Sequence, residues 1–146
     1  MIIWLIGISG AGKTTLGRKL DKFYKDKGFR TYLLDGDEVR SLFENDLGYT
    51  DADREANIKR IILGTYLLDR NDIIGIICNI SPFQHLRDLA RRKIAGYNEI
   101  YLDKDIQESL GCSDQSQAFD YILNNLDSRV RGVKVFDTLL SHNGEY

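Results

Sequence analysis

Three features of the chain predict a three-layer α/β fold with a mostly parallel central sheet flanked by helices. Short runs rich in Ile and Leu alternate with longer stretches of helical spacing, the rhythm of strand, crossover helix and parallel strand. A glycine-rich turn joins the first run to the first helical stretch. One proline in 146 residues, and no Pro/Gly/Ser-rich linker or internal repeat, predict a single domain over residues 1–146.

The first strand is Ile2–Ile6, apolar at consecutive positions as a strand buried on both faces must be, with Trp4 in the core. Leu16–Lys27 follows as a helix, and Thr31–Leu34 as the second strand. Asp53–Asp69 carries Ala56, Ile58, Ile61, Ile62, Tyr66 and Leu67 at helical spacing, with Asp51 and Asp53 placed to cap or charge its first turn. Asp72–Cys78 is the third strand. Ser81 and Pro82 then make a good start for a helix over Pro82–Ala95, since serine caps free amides and proline fits the first turn. Its inner side presents Phe83, Leu86, Ala90 and Ile94. Glu99–Leu102 is the fourth strand. Asp114–Leu126 reads as a short helix with Phe119, Ile122, Leu123 and Leu126 inward, and Val133–Phe136 as a final edge strand.

Composition narrows the function. A net charge of −2 gives no overall positive field to collect nucleic acid or anionic membrane, so no partner of either kind is expected and any anionic ligand must meet a local site. The opening apolar run of seven residues is too short for a signal peptide or a membrane span. Cys78 and Cys112 form no CxxC pair and read as small hydrophobes, which fits a cytoplasmic protein. His85 and His142 have no triad partners.

Gly7-Ile8-Ser9-Gly10-Ala11-Gly12-Lys13-Thr14 matches GxxxxGK[ST] between a strand and a helix, the context a phosphate-binding P-loop requires. Its glycines let successive amides, from Gly7 through Ser9, Gly10, Ala11 and Gly12, turn toward phosphate oxygens, and the positive end of the next helix adds attraction. Lys13 reaches the terminal phosphates, Thr14 offers a hydroxyl to Mg²⁺, and Thr15 offers one to a phosphate oxygen. ATP and Mg²⁺ are the expected cofactors on a P-loop NTPase fold. No NKxD motif marks a guanine switch, and the third strand ends Cys78-Asn79 without a Walker-B acid. Asp35-Gly36-Asp37 does stand at the end of the second strand, where a parallel sheet opens its ligand crevice. Two carboxylates there suit the two tasks of phosphoryl transfer, serving the metal and taking the proton of an attacking hydroxyl. An aspartate capping the next helix at Glu38 is the structural alternative. Lys13, Asp35 and Asp37 are therefore the candidate catalytic residues, and Thr14 with Asp35 the candidate metal ligands.

Ile3-Trp4-Leu5 leading into GISGAGKTT, LDGDEVR at 34–40, LGYTDADREANIKRI at 47–61 and ISPF at 80–83 together resemble the adenylyl-sulfate kinase family, over about the first 100 residues. The resemblance implies transfer of phosphate from ATP to the 3′-hydroxyl of adenosine 5′-phosphosulfate. It implies Asp35 and Asp37 at the metal and the acceptor hydroxyl, Asp35 being the favoured base, and Arg40, Arg54 and Asn57 against the acceptor nucleotide. Arginine's planar fork suits such oxyanions. Tyr49 stands where the family stacks a phenylalanine on the acceptor base, though a rim tyrosine would look the same. Ile80 and Ser81 match a segment bordering the acceptor site, and Arg87 matches an arginine near the donor nucleotide. A homodimer is compatible with this reading.

The family's basic lid, resembling CEKRDPKGLY, and its FTG motif are absent. Between Lys104 and Ser128 there are five acids, Asp105, Glu108, Asp114, Asp120 and Asp127, against the one base Lys104, a balance that repels polyphosphate. Three alternatives follow: a kinase for another substituted nucleoside 5′-diphosphate, such as a cytidine derivative of surface-polysaccharide synthesis; a kinase of a non-nucleotide metabolite; and a non-catalytic nucleotide-binding module.

Overall fold

A computed structural model describes residues 1–102, 119, 120 and 122–124. Four strands, β1 (Ile2–Ile6), β2 (Thr31–Asp35), β3 (Ile74–Cys78) and β4 (Tyr97–Tyr101), pair in the order β2-β3-β1-β4, every pair parallel. Four helices, α1 (Lys13–Asp26), α2 (Gly36–Leu42), α3 (Asp51–Arg70) and α4 (Gln84–Lys93), cover the two faces.

All five residues of β1 are buried because alternate side chains feed two cores. Ile3 and Leu5 join Leu16, Leu20 and Tyr24 of α1, whereas Ile2, Trp4 and Ile6 join Val39 of α2, Ile58 and Ile61 of α3, and Leu86 and Ala90 of α4. Helix α1 lies unusually close to the sheet. A Cβ on Gly17 would come within 2.7 Å of Cys78 Sγ and 2.9 Å of Leu33 Cδ1.

Several boundaries differ from expectation for local reasons. The DGD segment is the start of a helix: Asp35 is its N-cap, accepting the Asp37 amide at 2.8 Å. Helix α3 begins at Asp51, capped by Thr50, and Asp53 turns its carboxylate to the Gly48 amide at 3.1 Å. Tyr66 and Leu67, expected inward, are exposed. The buried stripe runs through Asn57, Ile58, Ile61, Ile62 and Thr65, and its drift along the helix brings the partly buried Leu68 inward in their place. Ser81 and Pro82 do not start α4. Phe83 is the N-cap, without a side-chain cap, and the Ser81 hydroxyl is engaged elsewhere. Strand β3 begins at Ile74, not Asp72, whose φ of +55° belongs to a turn. Strand β4 spans Tyr97–Tyr101 where Glu99–Leu102 was expected.

Beyond Leu102, residues 119, 120 and 122–124 are helical, with Ile122 buried and Phe119 and Leu123 packed against the α1-side core. Leu126, the remainder of that helix, the strand at 133–136, Cys112, His142 and most of the acidic stretch lie outside the described residues. No described helix is long and apolar enough to cross a membrane.

Candidate active site

The loop after β1 is shaped by backbone that only glycine enters freely. Gly10 and Gly12 have φ of +81° and +86°, and Gly12 is the N-cap of α1. The first amides of α1 therefore start at the loop with no partner inside the helix, at its positive end. Gly7 has a different reason to be glycine. A Cβ there would stand 2.6 Å from the Leu102 carbonyl oxygen, so the loop is seated against the end of β4. Lys13 donates from Nζ to the carbonyls of Gly7 and Ile8, each at 2.8 Å. Burial lowers its pKa, opposed by the nearby Cys78 and Asp35.

Across the crevice, Thr14 Oγ1 donates to Asp35 Oδ2 at 3.3 Å while Asp35 Oδ1 holds the Asp37 amide. Asp35 thus ties the phosphate loop to α2. Asp37 is exposed, and its carboxylate has no partner among the described residues.

The two sides enclose a crevice of about 390 Å³. Of the sequence-predicted residues, Ser9, Gly10, Gly12, Lys13, Thr14 and Thr15 line its loop side. Asp35, Asp37, Arg40, Tyr49, Arg54, Asn57, Ile80 and Ser81 line the rest. Gly7 and Ala11 lie behind the loop as buried residues outside the lining. Arg87 is likewise not among the lining residues. It is 5% exposed, and its Nη1 donates to the Ser81 carbonyl at 3.0 Å.

The residues that line the crevice opposite the loop are themselves organised by arginines. Arg40, 8% exposed, donates from Nη1 to the carbonyls of Leu47 at 3.3 Å and Gly48 at 2.6 Å, and its guanidinium lies 4.4 Å from the Tyr49 ring centre. Arg60 grips Asp46 with both terminal nitrogens, at 2.8 and 2.7 Å, and stacks over Phe43 at 4.0 Å. That ion pair holds the Asp46 carboxyl below its usual range. Together the two arginines set the loop that presents Tyr49, itself 68% exposed. Arg54 is exposed. Asn57 is buried, donating from Nδ2 to the Gly36 carbonyl at 3.3 Å. Its Oδ1 has no hydrogen-bond partner among the described residues.

Cys78 and Asn79 also line the crevice, and sequence reasoning gave neither a role. Their place at the carboxyl end of a parallel strand is the signal that finds them. Cys78 Sγ donates to the Lys13 carbonyl at 3.3 Å, and burial, with Asp35 nearby, pushes its thiol up to about 12. Asn79 approaches Gly36 so closely that a Cβ there would lie 2.6 Å from Oδ1.

Fold and site together define a P-loop α/β protein of the nucleoside triphosphate-binding class. The chain belongs to the adenylylsulphate kinase family, whose model matches residues 1–116. It is 41% identical over 105 residues to the adenylyl-sulfate kinase of Halothermothrix orenii, covering 72% of this chain and 57% of that protein. It is also 41% identical over 100 residues to a probable adenylyl-sulfate kinase of Pyrococcus abyssi, covering 68% and 58%. The Mycobacterium tuberculosis APS kinase in complex with AMPPNP and APS superposes with a TM-score of 0.65 at 29% identity, covering 82% of this chain and 74% of that one. The chain thus spans somewhat more than half the length of these curated relatives.

Proposed function

We propose that the chain is a cytoplasmic ATP-dependent kinase that phosphorylates the ribose 3′-hydroxyl of a nucleotide, adenosine 5′-phosphosulfate before any other. One observation carries this reading: Asp35 and Asp37 stand on the opposite side of the same crevice from the phosphate loop, with Asp35 bonded to the loop's own Thr14. A protein that only binds nucleotide has little use for two carboxylates facing a polyphosphate. The mycobacterial relative, a complex with AMPPNP and APS, supports an ATP donor and an adenosine 5′-phosphosulfate acceptor here.

The oxygen pair of Thr14 Oγ1 and Asp35 Oδ2 is a hard donor set that fits Mg²⁺. Those two residues would hold it, and the ion would supply charge neutralisation on the phosphates. The loop amides and Lys13 bind and orient the transferred phosphate. With Asp35 occupied by Thr14 and the Asp37 amide, the exposed Asp37 carboxylate is the better placed to accept the acceptor proton. Tyr49 offers the acceptor base a stacking face, of a kind worth about 1–3 kcal/mol per base. Arg54 and Asn57 position its anionic portion and ribose. Positioning and electrostatics of this sort provide most of the rate in phosphoryl transfer.

The test is a coupled ADP-release assay with adenosine 5′-phosphosulfate, cytidine diphosphate derivatives and sugar acids as acceptors. Turnover is expected with the phosphosulfate, falling at least about a hundredfold in Asp37→Asn as for loss of a general base. Turnover with a sugar acid alone would replace the nucleotide acceptor, and ATP binding without turnover on any acceptor would make the chain a binding module.

A further inference from the structure

The segment from Ile80 to Pro82 forms one wall of the crevice, and Ser81 at its centre has a φ of +49°. L-residues avoid this left-handed region, and they stay in it only where the surroundings over-determine the backbone. Three side chains do so here. Trp4 Nε1 and Asn79 Nδ2 both donate to Ser81 Oγ at 3.0 Å, and Arg87 Nη1 donates to the Ser81 carbonyl at 3.0 Å.

Arg87 is itself fixed from behind. Its Nη2 donates to Gln84 Oε1, and its Nε lies 3.6 Å from Glu99 Oε1 on β4. Glu99, 10% exposed, also accepts from the Tyr97 hydroxyl at 2.7 Å and from Arg91 at 3.1 Å. A planar fork can serve Ser81, Gln84 and Glu99 at once, which a lysine ammonium cannot. On its other side, the same stretch meets the acceptor half of the site: His85 lies 3.4 Å from Glu55, the neighbour of Arg54 on the first turns of α3.

We infer that Arg87 is a positioning residue for the acceptor: anchored by Glu99, it fixes the left-handed turn at Ser81 and so sets the acceptor-side wall of the crevice from outside it. The inference rests on the proposed kinase reading of the crevice. It gives Arg87 a different task from the donor-side one that the family resemblance implies.

Glycine enters the left-handed region without strain, so Ser81→Gly should relieve the turn of its need for Arg87. The experiment is a double-mutant cycle on the full chain with Arg87→Lys and Ser81→Gly, read by steady-state kinetics and by the emission of Trp4, the single tryptophan. Arg87→Lys is expected to raise the acceptor KM about tenfold while the ATP KM stays within about twofold. It should shift Trp4 emission in the Ser81 background, where Trp4 is bonded to the Ser81 hydroxyl, and the KM effect should shrink in the Ser81→Gly background. An increase in ATP KM instead, equal KM effects in both backgrounds, or a lower melting temperature with unchanged kinetics and emission would overturn the inference. Should Arg87→Lys fail to fold, Glu99→Gln loosens the same anchor and takes its place under the same criteria. If the wild-type chain turns over no acceptor, the kinase reading fails, and the presence or absence of the Trp4 emission shift in Arg87→Lys with Ser81 intact decides whether Arg87 holds Ser81.

Discussion

Cys78 stands at the crevice with a thiol that burial holds in its neutral form. Its thiol is pushed up to about 12, by burial first and by Asp35 second. The neutral form therefore persists at any physiological pH, and the thiolate is the nucleophile. In the folded chain, iodoacetamide at pH 8 should leave the Cys78 peptide unmodified by mass spectrometry, while the urea-unfolded chain is labelled there. Labelling at equal rates in both would contradict the burial. The linkage has a definite sign: the folded pKa lies above the unfolded one, so this contribution is whole below about pH 8.5 and declines as pH rises toward 12. Sequence alone showed Cys78 as a small hydrophobe, and that much of its character holds. Its bond to the Lys13 carbonyl joins residues 65 positions apart, which no local pattern reveals.

At the scale of the element, α1 depends on Gly17 for its distance from the sheet. Replacing Gly17 by Ala improves helix propensity by about 1 kcal/mol, yet overpacking in a filled core costs about 1–3 kcal/mol. Both close contacts fall under 3.0 Å inside the core, so overpacking wins. A net loss of up to about 2 kcal/mol is expected, visible as a lower urea midpoint, and a higher midpoint would refute it. Elements were legible where their signal is local. The alternation of apolar runs located the four described strands, and the GISGAGKT spacing located the phosphate loop. Elements governed by a single side chain were not. Nothing in SPFQHLR announces that Ser81 is turned backward by Trp4 and Arg87, so a plausible N-cap was read there. The start of α2 at Gly36 was obscured because DGD reads equally well as a strand end and as a helix cap.

Across the whole molecule, the crevice joins β1, β2 and β3 through the loops at their carboxyl ends, so a ligand there should stabilise the folded chain as a unit. With AMPPNP and Mg²⁺ at about 100 times Kd, linkage gives about 2.7 kcal/mol, a rise of roughly 5–10 °C for a domain of this size. Lys13→Ala should abolish most of that rise in a thermal melt, and an equal rise in the variant would remove Lys13 from the site. The distribution of the remaining crevice residues over α2, α3 and the segment before α4 explains why the sequence pointed to them only through family motifs. Arg40, Tyr49, Asn57 and Ser81 share no spacing, and only the parallel crossovers bring them to one opening. The seat of Gly7 on the Leu102 carbonyl has its own mechanical consequence. There is no room for even one added carbon between Gly7 and the Leu102 carbonyl, which limits how far the loop can shift toward β4. Leu102 is also tied to the residue before Gly7, its amide donating to the Ile6 carbonyl at 2.8 Å, so a displacement at Leu102 is transmitted to the start of the loop.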